Sequence, residues 1–379
     1  MSAATSPLLE EHVALGATLT DFAGWQMPLR YTSDIAEHQA VRQAAGLFDL
    51  SHMGEIAVVG PQAARALDHA LVGNLSALAV GRARYSMLCQ PDGAVIDDVV
   101  VYRPAAEQLL VVANASNAAV VLAELTERAT GFHAQVIDMS LETALLAVQG
   151  PRALEIVSLV APGQHAVLAE MPYYASATVR VLGHDVLVSR TGYTGEDGFE
   201  LYVPNALAAP LWRALLEAGT PLGLVPAGLA ARDSLRLEAG MPLYGNELDR
   251  TTTPFEAGLG RVVKFDKTDD DGAPLDFVGR AALESRKGAQ PARVLVGLQG
   301  LGRRAARSGY PVVRGSGADA VVVGTVTSGA PSPTLGHPVA LAYVTPEVSA
   351  EGTELGVDVR GRAEPFRVVR YPFYRRPQD

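Results

Sequence analysis

Val58-Val59-Gly60-Pro61-Gln62-Ala63 and Val148-Gln149-Gly150-Pro151-Arg152-Ala153 are two copies of one pattern, an apolar run that ends in Gly-Pro and leads into an amphipathic helix. Proline suits the first helical position because the N–H it lacks would have no partner there. The elements downstream of each copy run in the same order. After the first, the pattern predicts a helix over Gln62–Leu71, strands over Arg84–Cys89, Val95–Tyr102 and Gln108–Ala113, and a helix over Ser116–Arg128. After the second it predicts a helix over Arg152–Leu159, strands over Thr178–Leu182, Asp185–Arg190 and Phe199–Val203, and a helix over Ala206–Ala218. The expected class is α+β, with two related α+β halves.

A polar stretch from Lys267 through Asp269-Asp270-Asp271-Gly272 to Gly288-Ala289-Gln290-Pro291 buries little and marks a boundary. Beyond it, short β-rich runs over Arg293–Leu298, Tyr310–Val313, Ala320–Thr327, Val339–Val344 and Glu354–Val359 alternate with Gly, Pro and Ser turns. That spacing predicts a separate small β-barrel or sandwich. The expected division is 1–270 for the two interleaved halves, 271–291 for a linker with a connecting helix, and 292–379 for a C-terminal barrel domain.

Composition narrows the function. The 379 residues are 48% hydrophobic and 19% charged, which fits a well-buried globular chain. With 31 Lys plus Arg against 41 Asp plus Glu, the net charge of −10 argues against a nucleic-acid partner. The single cysteine, Cys89, allows no intrachain disulfide, and the eight histidines include no pair at metal-ligand helical spacing, so no metal is expected. There is no phosphate-binding Gly-Lys loop and no G-x-S-x-G elbow, and Gly258-Leu259-Gly260-Arg261 lacks the rest of a dinucleotide fingerprint, so no nucleotide is expected either. Met1–Gly16 carries Glu10 and Glu11 without a basic region, and no apolar run approaches the roughly 20 residues that span a bilayer. The expectation is a cytoplasmic protein without a membrane partner.

Three clusters could carry chemistry. In Val95-Ile96-Asp97-Asp98-Val99-Val100-Val101-Tyr102 two carboxylates sit in a valine-rich strand and need a reason to be there. Period two sets Ile96, Asp98, Val100 and Tyr102 on one face, and Asp97, Val99 and Val101 on the other. A four-residue loop at Gln90-Pro91-Asp92-Gly93 would pair Cys89 with Ala94 and set Tyr85 opposite Asp98, giving a carboxylate between two tyrosines, suited to a flat heterocycle. Two solvated aspartates beside a turn is the alternative. In Thr191-Gly192-Tyr193-Thr194-Gly195-Glu196-Asp197-Gly198-Phe199-Glu200, Glu196 and Asp197 read as solvated loop charges and Glu200 as the better candidate for a buried acceptor. In Ala231-Arg232-Asp233-Ser234-Leu235-Arg236, on a helix opened by Pro226 and closed by Gly240, the two arginines lie one turn apart. Arg236 reads as an ion-pair partner of Asp233, or as a donor fork for a carboxylate or ligand carbonyl.

Together with Phe22-Ala23-Gly24-Trp25-Gln26-Met27-Pro28, Phe48-Asp49-Leu50-Ser51-His52-Met53-Gly54, Tyr244-Gly245-Asn246-Glu247-Leu248 and Ser328-Gly329-Ala330-Pro331-Ser332-Pro333-Thr334-Leu335-Gly336, these stretches resemble the glycine cleavage system T-protein family, nearly end to end. The resemblance implies three domains around a central folate channel and an aminomethyltransferase. It implies tetrahydrofolate as acceptor substrate and, as partner, a lipoylated H protein, functionally linked to the P and L proteins. The products would be 5,10-methylenetetrahydrofolate, ammonia and the dihydrolipoyl carrier. It further implies that Asp98 is the catalytic aspartate, and that Tyr85, Tyr102, Tyr173, Tyr174 and Tyr193 are aromatic channel residues. Glu200 would read the pterin edge, with Arg232 beside it and Asn114 at the pocket, while Asn117 would cap a helix. Arg261 departs from the family, where an aromatic residue is common, and the basic run Arg303-Arg304-Ala305-Ala306-Arg307 could meet an anionic glutamate tail or an acidic carrier, or be a solvated loop. Related folate modules of iron–sulfur maturation carry a cysteine that Gly192–Gly198 lacks, and folate domains of amine demethylases are fused to a flavin domain for which no fingerprint exists here. A non-catalytic aromatic pocket is the remaining alternative.

Overall fold

The computed structural model describes residues 3–269, 271–315 and 319–377; Asp270, at the expected boundary, lies outside them. The chain opens with β1 (Ala4–Thr5), helix α1 (Leu9–Ala14), β2 (Thr18–Phe22) and β3 (Trp25–Arg30), whose strands form a small sheet in the order β1-β3-β2. Helix α2 (Asp34–Gln43) comes next, capped by the Ser33 hydroxyl, which accepts from the Ala36 N–H at 3.3 Å, and leads into β4 (Ala45–Asp49).

The first half comprises β5 (Gly54–Val59), α3 (Ala63–Ala70), β6 (Ala83–Cys89), β7 (Val95–Ala105), β8 (Gln108–Ala113), α4 (Ala118–Arg128) and β9 (Gln135–Asp138), with sheet order β6-β7-β8-β5-β9. The second comprises β10 (Thr143–Gln149), α5 (Ala153–Val160), α6 (His165–Glu170), β11 (Ser176–Val181), β12 (His184–Ser189), β13 (Gly198–Pro204), α7 (Asn205–Gly219) and β14 (Leu224–Pro226), with order β11-β12-β13-β10-β4-β14. The cores β6-β7-β8-β5 and β11-β12-β13-β10 have the same connectivity, so the repeated motif does mark related halves. Gly60 and Gly150 adopt the same backbone, φ 129° and 137°. A Cβ would lie 2.6 Å from the His133 carbonyl oxygen at the first and 2.5 Å from that of Ala44 at the second, so both positions require glycine.

Each sheet buries one face under its own helices. Ile56, Leu67, Leu88, Val99 and Leu125 belong to the first core, and Leu146, Ile156, Val188, Phe199 and Trp212 to the second. The other faces meet through Phe48, Tyr102, Val112, Leu145 and Tyr202, and the candidate site opens between them.

Helix α8 (Leu229–Glu238) starts after Gly228, whose Cβ would lie 2.3 Å from the Leu29 carbonyl oxygen; Pro226 ends β14 and does not open the helix as expected. Helix α9 (Arg280–Arg286) precedes a closed barrel of β15 (Val294–Gly300), β16 (Pro311–Arg314), β17 (Val321–Pro331), β18 (Pro338–Val344), β19 (Glu354–Asp358) and β20 (Ala363–Val369), in the order β15-β18-β17-β16-β19-β20. The sixth strand was absent from the sequence expectation because Pro365 and Arg367 break its apolar run. Glu238, at the end of α8, is buried and ties the barrel to the body. It pairs with Arg42 at 2.8 Å and His38 at 3.1 Å, both on α2, and accepts from the hydroxyls of Ser332 at 2.5 Å and Thr334 at 2.7 Å. Among the described residues no helix is long and apolar enough to cross a membrane.

Candidate active site

The hairpin β6-β7 carries an irregularity where it matters. Leu88 pairs with Asp97 but Cys89 pairs with Val95, so Ile96 is an extra residue on β7, a bulge. Two expectations change as a result. Met87, not Tyr85, stands opposite Asp98, and Tyr85 stands opposite Val100. Ile96 packs with Val99 and Val101 in the helix-side core and does not share the face of Asp98. The face of Asp98, Val100 and Tyr102 survives, because a shift of two residues preserves parity. The Tyr85 hydroxyl, reaching diagonally across the ladder, donates to Asp98 Oδ2 at 2.9 Å.

Asn114, at the end of β8, joins the two aspartates. Its Nδ2 donates to Asp98 Oδ1 and Asp97 Oδ1, both at 2.9 Å, and its backbone N–H donates to Asp97 Oδ2 at 3.0 Å. Asn117 makes no side-chain cap; its side chain is turned to the buried Asp97, with Nδ2 donating to Asp97 Oδ1 at 2.9 Å and to the Ile96 carbonyl at 3.1 Å. Burial pushes the Asp98 carboxyl up to about 6, against the pull of the Tyr85 and Asn114 hydrogen bonds. Burial, then the neighbouring Asp98, pushes Asp97 up to about 7. Asp98 is thus mostly ionised at neutral pH, in a setting poor in water.

Tyr85, Asp98 and Asn114, but not Asp97 or Asn117, face a cavity of about 610 Å³ that is also lined by Tyr102, Tyr174, Tyr193, Glu200 and Arg232, a size that suits a small-molecule substrate. Tyr173 is not in the lining. It is 44% exposed and packs edge-on against Tyr174, ring centroids 5.0 Å apart, at the rim. Across the cavity from Asp98, Glu200 on β13 accepts from the Tyr102 hydroxyl at 3.1 Å and from Thr191 Oγ1 at 2.5 Å. The Arg232 guanidinium lies over the Tyr193 ring, 4.6 Å from its centroid. Burial lowers its pKa from the usual arginine value. Arg236 makes the expected ion pair with Asp233, at 2.7 Å, and a second, fully buried one with Glu247 at 2.9 Å.

Glu196 and Asp197 are not solvated. Glu196 is buried against Arg42 at 2.9 Å, and Asp197 is held by Arg190 at 2.6 Å and Arg376 at 3.3 Å. Arg42 and Arg376 come from distant segments, which local composition does not reveal. The lining also includes Phe22, His52, Tyr202, Tyr244 and Asn246, to which the sequence alone assigned no role, although four of them fall in the stretches that carried the resemblance. His52 is neutral, burial lowering it to about 4, and packs edge-on to Phe22 at 5.3 Å.

Comparison with known proteins gives the same outline. The GCVT N-terminal domain family matches residues 8–267, and the glycine cleavage T-protein C-terminal barrel domain matches residues 293–375. The chain belongs to the glycine cleavage T-protein family. Aminomethyltransferase of Saccharopolyspora erythraea is 57% identical over 371 residues, covering 98% of each chain, and that of Streptomyces coelicolor is 58% identical over 369 residues, covering 96% of each. The crystal structure of the glycine cleavage system aminomethyltransferase T from Bartonella henselae matches with a TM-score of 0.88 at 38% identity, covering 98% of both chains. In this family member the segment that departs at Arg261 keeps an apolar wall, because Leu259 lines the cavity and Val262 packs behind it beside Tyr85 and Tyr244. Arg261 itself is exposed.

Proposed function

We propose that this chain moves the methylene of an aminomethyl group, carried on the dihydrolipoyl arm of an H protein, onto tetrahydrofolate, yielding 5,10-methylenetetrahydrofolate, ammonia and the reduced carrier. The observation that carries this reading is Asp98, an ionised carboxylate fixed by Tyr85 and Asn114 on the wall of an aromatic cavity. Positive charge develops at the methylene as its bond to sulfur breaks. A carboxylate already oriented there stabilises that charge without reorganising, and a low-dielectric wall strengthens the effect. The two hydrogens displaced from the folate nitrogens end on ammonia and on the carrier thiol, so the exchange needs no oxidant. Asp98 is suited to orient the attacking amine and to steady the cation.

Glu200 offers two carboxylate oxygens to a pair of parallel N–H donors, the pattern on a pterin's amide and amino edge. Tyr102 and Thr191 hold it in place. Tyr174 and Tyr193 suit stacking on the flat rings, and Arg232 suits a ligand carbonyl or carboxylate. Tyr173, on the rim, is better suited to the entering ligand than to the bound ring. The same reading assigns the folate work to residues 1–270, a linker to 271–291 and a supporting barrel to 292–379, and a cytoplasmic setting beside the P and L proteins.

Ammonia release from aminomethylated H protein, with and without tetrahydrofolate, tests the reading. Strong stimulation by folate is expected; tight folate binding without turnover would make the chain a binding protein and remove the catalytic role of Asp98.

A further inference from the structure

After β20 the chain leaves the barrel and runs back over the body, beside two stretches that line the cavity. Tyr371 and Phe373 pack where the barrel meets α8, with Leu237, Val339 and Leu341. The first stretch is the turn after α8, where Gly240 lines the cavity. A Cβ on Gly240 would lie 2.8 Å from the Tyr371 ring and 3.1 Å from the Cα of Pro372, so the tail passes in close contact with this turn. The second is the loop between β12 and β13, which brings Thr191, Gly192 and Tyr193 to the cavity wall. A Cβ on Gly195, in that loop, would lie 3.8 Å from the Tyr374 ring.

The loop is held by side chains from remote segments. Arg42 donates to the Thr194 carbonyl at 2.7 Å and to Glu196 at 2.9 Å, and its guanidinium lies over the Tyr374 ring, 3.9 Å from the centroid. Burial, then a hydrogen bond to Glu196, pushes the Tyr374 hydroxyl up to about 12. Asp197, the next residue, accepts from Arg190 Nε at 2.9 Å and Nη2 at 2.6 Å and takes Arg376 as a second cation at 3.3 Å. Tyr374 and Arg376 thus meet two consecutive acids of the loop, while the Tyr374 N–H, bonded to the Glu238 carbonyl at 2.8 Å, fixes the tail on α8. Three residues before Glu196, the Tyr193 ring faces Arg232 at 4.6 Å.

We propose that Tyr374 and Arg376 are positioning residues for ligand binding: the tail after β20 straps the loop of Glu196 and Asp197 so that Tyr193 is already in place on the cavity wall when the ligand arrives. The inference rests on the folate reading of that cavity. Neither Tyr374 nor Arg376 lines the cavity, so both act through the loop. A stacking ring that must first be ordered takes its ordering cost out of the binding free energy, whereas a ring held beforehand does not. Loosening the strap therefore weakens binding and leaves the reacting centre at Asp98, on the other half, as it was.

The dissociation constant of tetrahydrofolate, kcat for ammonia release at saturating folate, and amide hydrogen exchange over residues 191–198 test it on the full chain. Y374A/R376Q is expected to raise the dissociation constant about tenfold and R376Q alone about twofold, with kcat within about twofold of wild type and faster exchange in the loop. Exchange in β18, buried in the barrel, is expected to keep its wild-type rate. R370Q, which removes only the exposed pair of Arg370 with Glu351 at 2.8 Å, is expected to match wild type throughout. An unchanged dissociation constant in Y374A/R376Q, a loss confined to kcat, or exchange that quickens in β18 as much as in the loop overturns the strap while leaving the folate reading intact. A wild type that binds no tetrahydrofolate overturns both.

Discussion

The two halves share a connectivity and differ in what their hairpins do. In the second half, β11 and β12 pair in unbroken register from Ser176–Ser189 to Val181–His184, around a two-residue turn at Leu182-Gly183. In the first, β6 and β7 are joined by a longer loop and slip by one residue at the bulge before Asp97. The regular hairpin carries one carboxylate, Asp185, exposed and paired with Arg180 at 3.4 Å, while the irregular one holds two carboxylates, each with fixed hydrogen-bond partners. Glu200, the acid of the second half, stands on β13, a strand paired on both sides. On the proposed reading, a copied frame acquired reactivity in the half where its ladder is broken and a recognition group in the half where it is intact.

The sharpest way to break this comparison is Asp98→Asn. Turnover is expected to fall by about 10²–10⁴-fold while folate affinity changes little, measured as ammonia release at saturating folate. An equal loss in both would reduce Asp98 to a ligand contact. Glu200→Ala should do the reverse, raising the folate dissociation constant by about 10–100-fold with a smaller change in kcat; an unchanged constant removes Glu200 from the ring edge.

The pH dependence sharpens the contrast further. Because Asp98 is held up to about 6 and, on the proposed reading, works ionised, activity should fall as pH drops through about 6. Asn114→Ala, which removes a hydrogen bond to the charged form, should move that acid limb upward; a downward or absent shift contradicts the assignment. The same carboxyl has a stability signature. The folded group binds its proton more tightly than the unfolded one, so the wild type loses stability as pH rises from about 4 to about 6. Asp98→Asn should be more stable than wild type at pH 7, by about 1–3 kcal/mol, and equal to it near pH 4, as denaturant titrations would report. The smallest effect belongs to the regular hairpin. Leu182 has φ 49° and Gly183 φ 83°, so Leu182→Asn, better suited to that turn, should stabilise by about 0.5–1 kcal/mol without altering turnover.

Much of this was legible in the sequence for definite reasons. Gly-Pro at the same place in both halves predicted the shared connectivity because only glycine fits under a neighbouring carbonyl there. Period two put Asp98 and Tyr102 on one face, and that parity outlasted an error of two residues in register. The hidden features depend on partners remote in sequence. Asp97 was set on the face opposite Asp98 but had no visible partner until Asn114 and Asn117 closed on it, and Glu196 looked solvated until Arg42, 154 residues away, paired with it. A bulge leaves no mark in an apolar strand, so the position of Ile96 had no sequence signal.

Glu238 is shared by α2, α8 and the turn after β17, and the Tyr374 N–H adds a bond to its backbone carbonyl at 2.8 Å. Undocking the barrel would strip that anion of its hydroxyl donors while leaving it in the crevice, a cost of several kcal/mol. The barrel therefore behaves as a keystone: heat should take it and the helix bearing Arg232 apart in one calorimetric transition, and the ligand chamber would vanish with them.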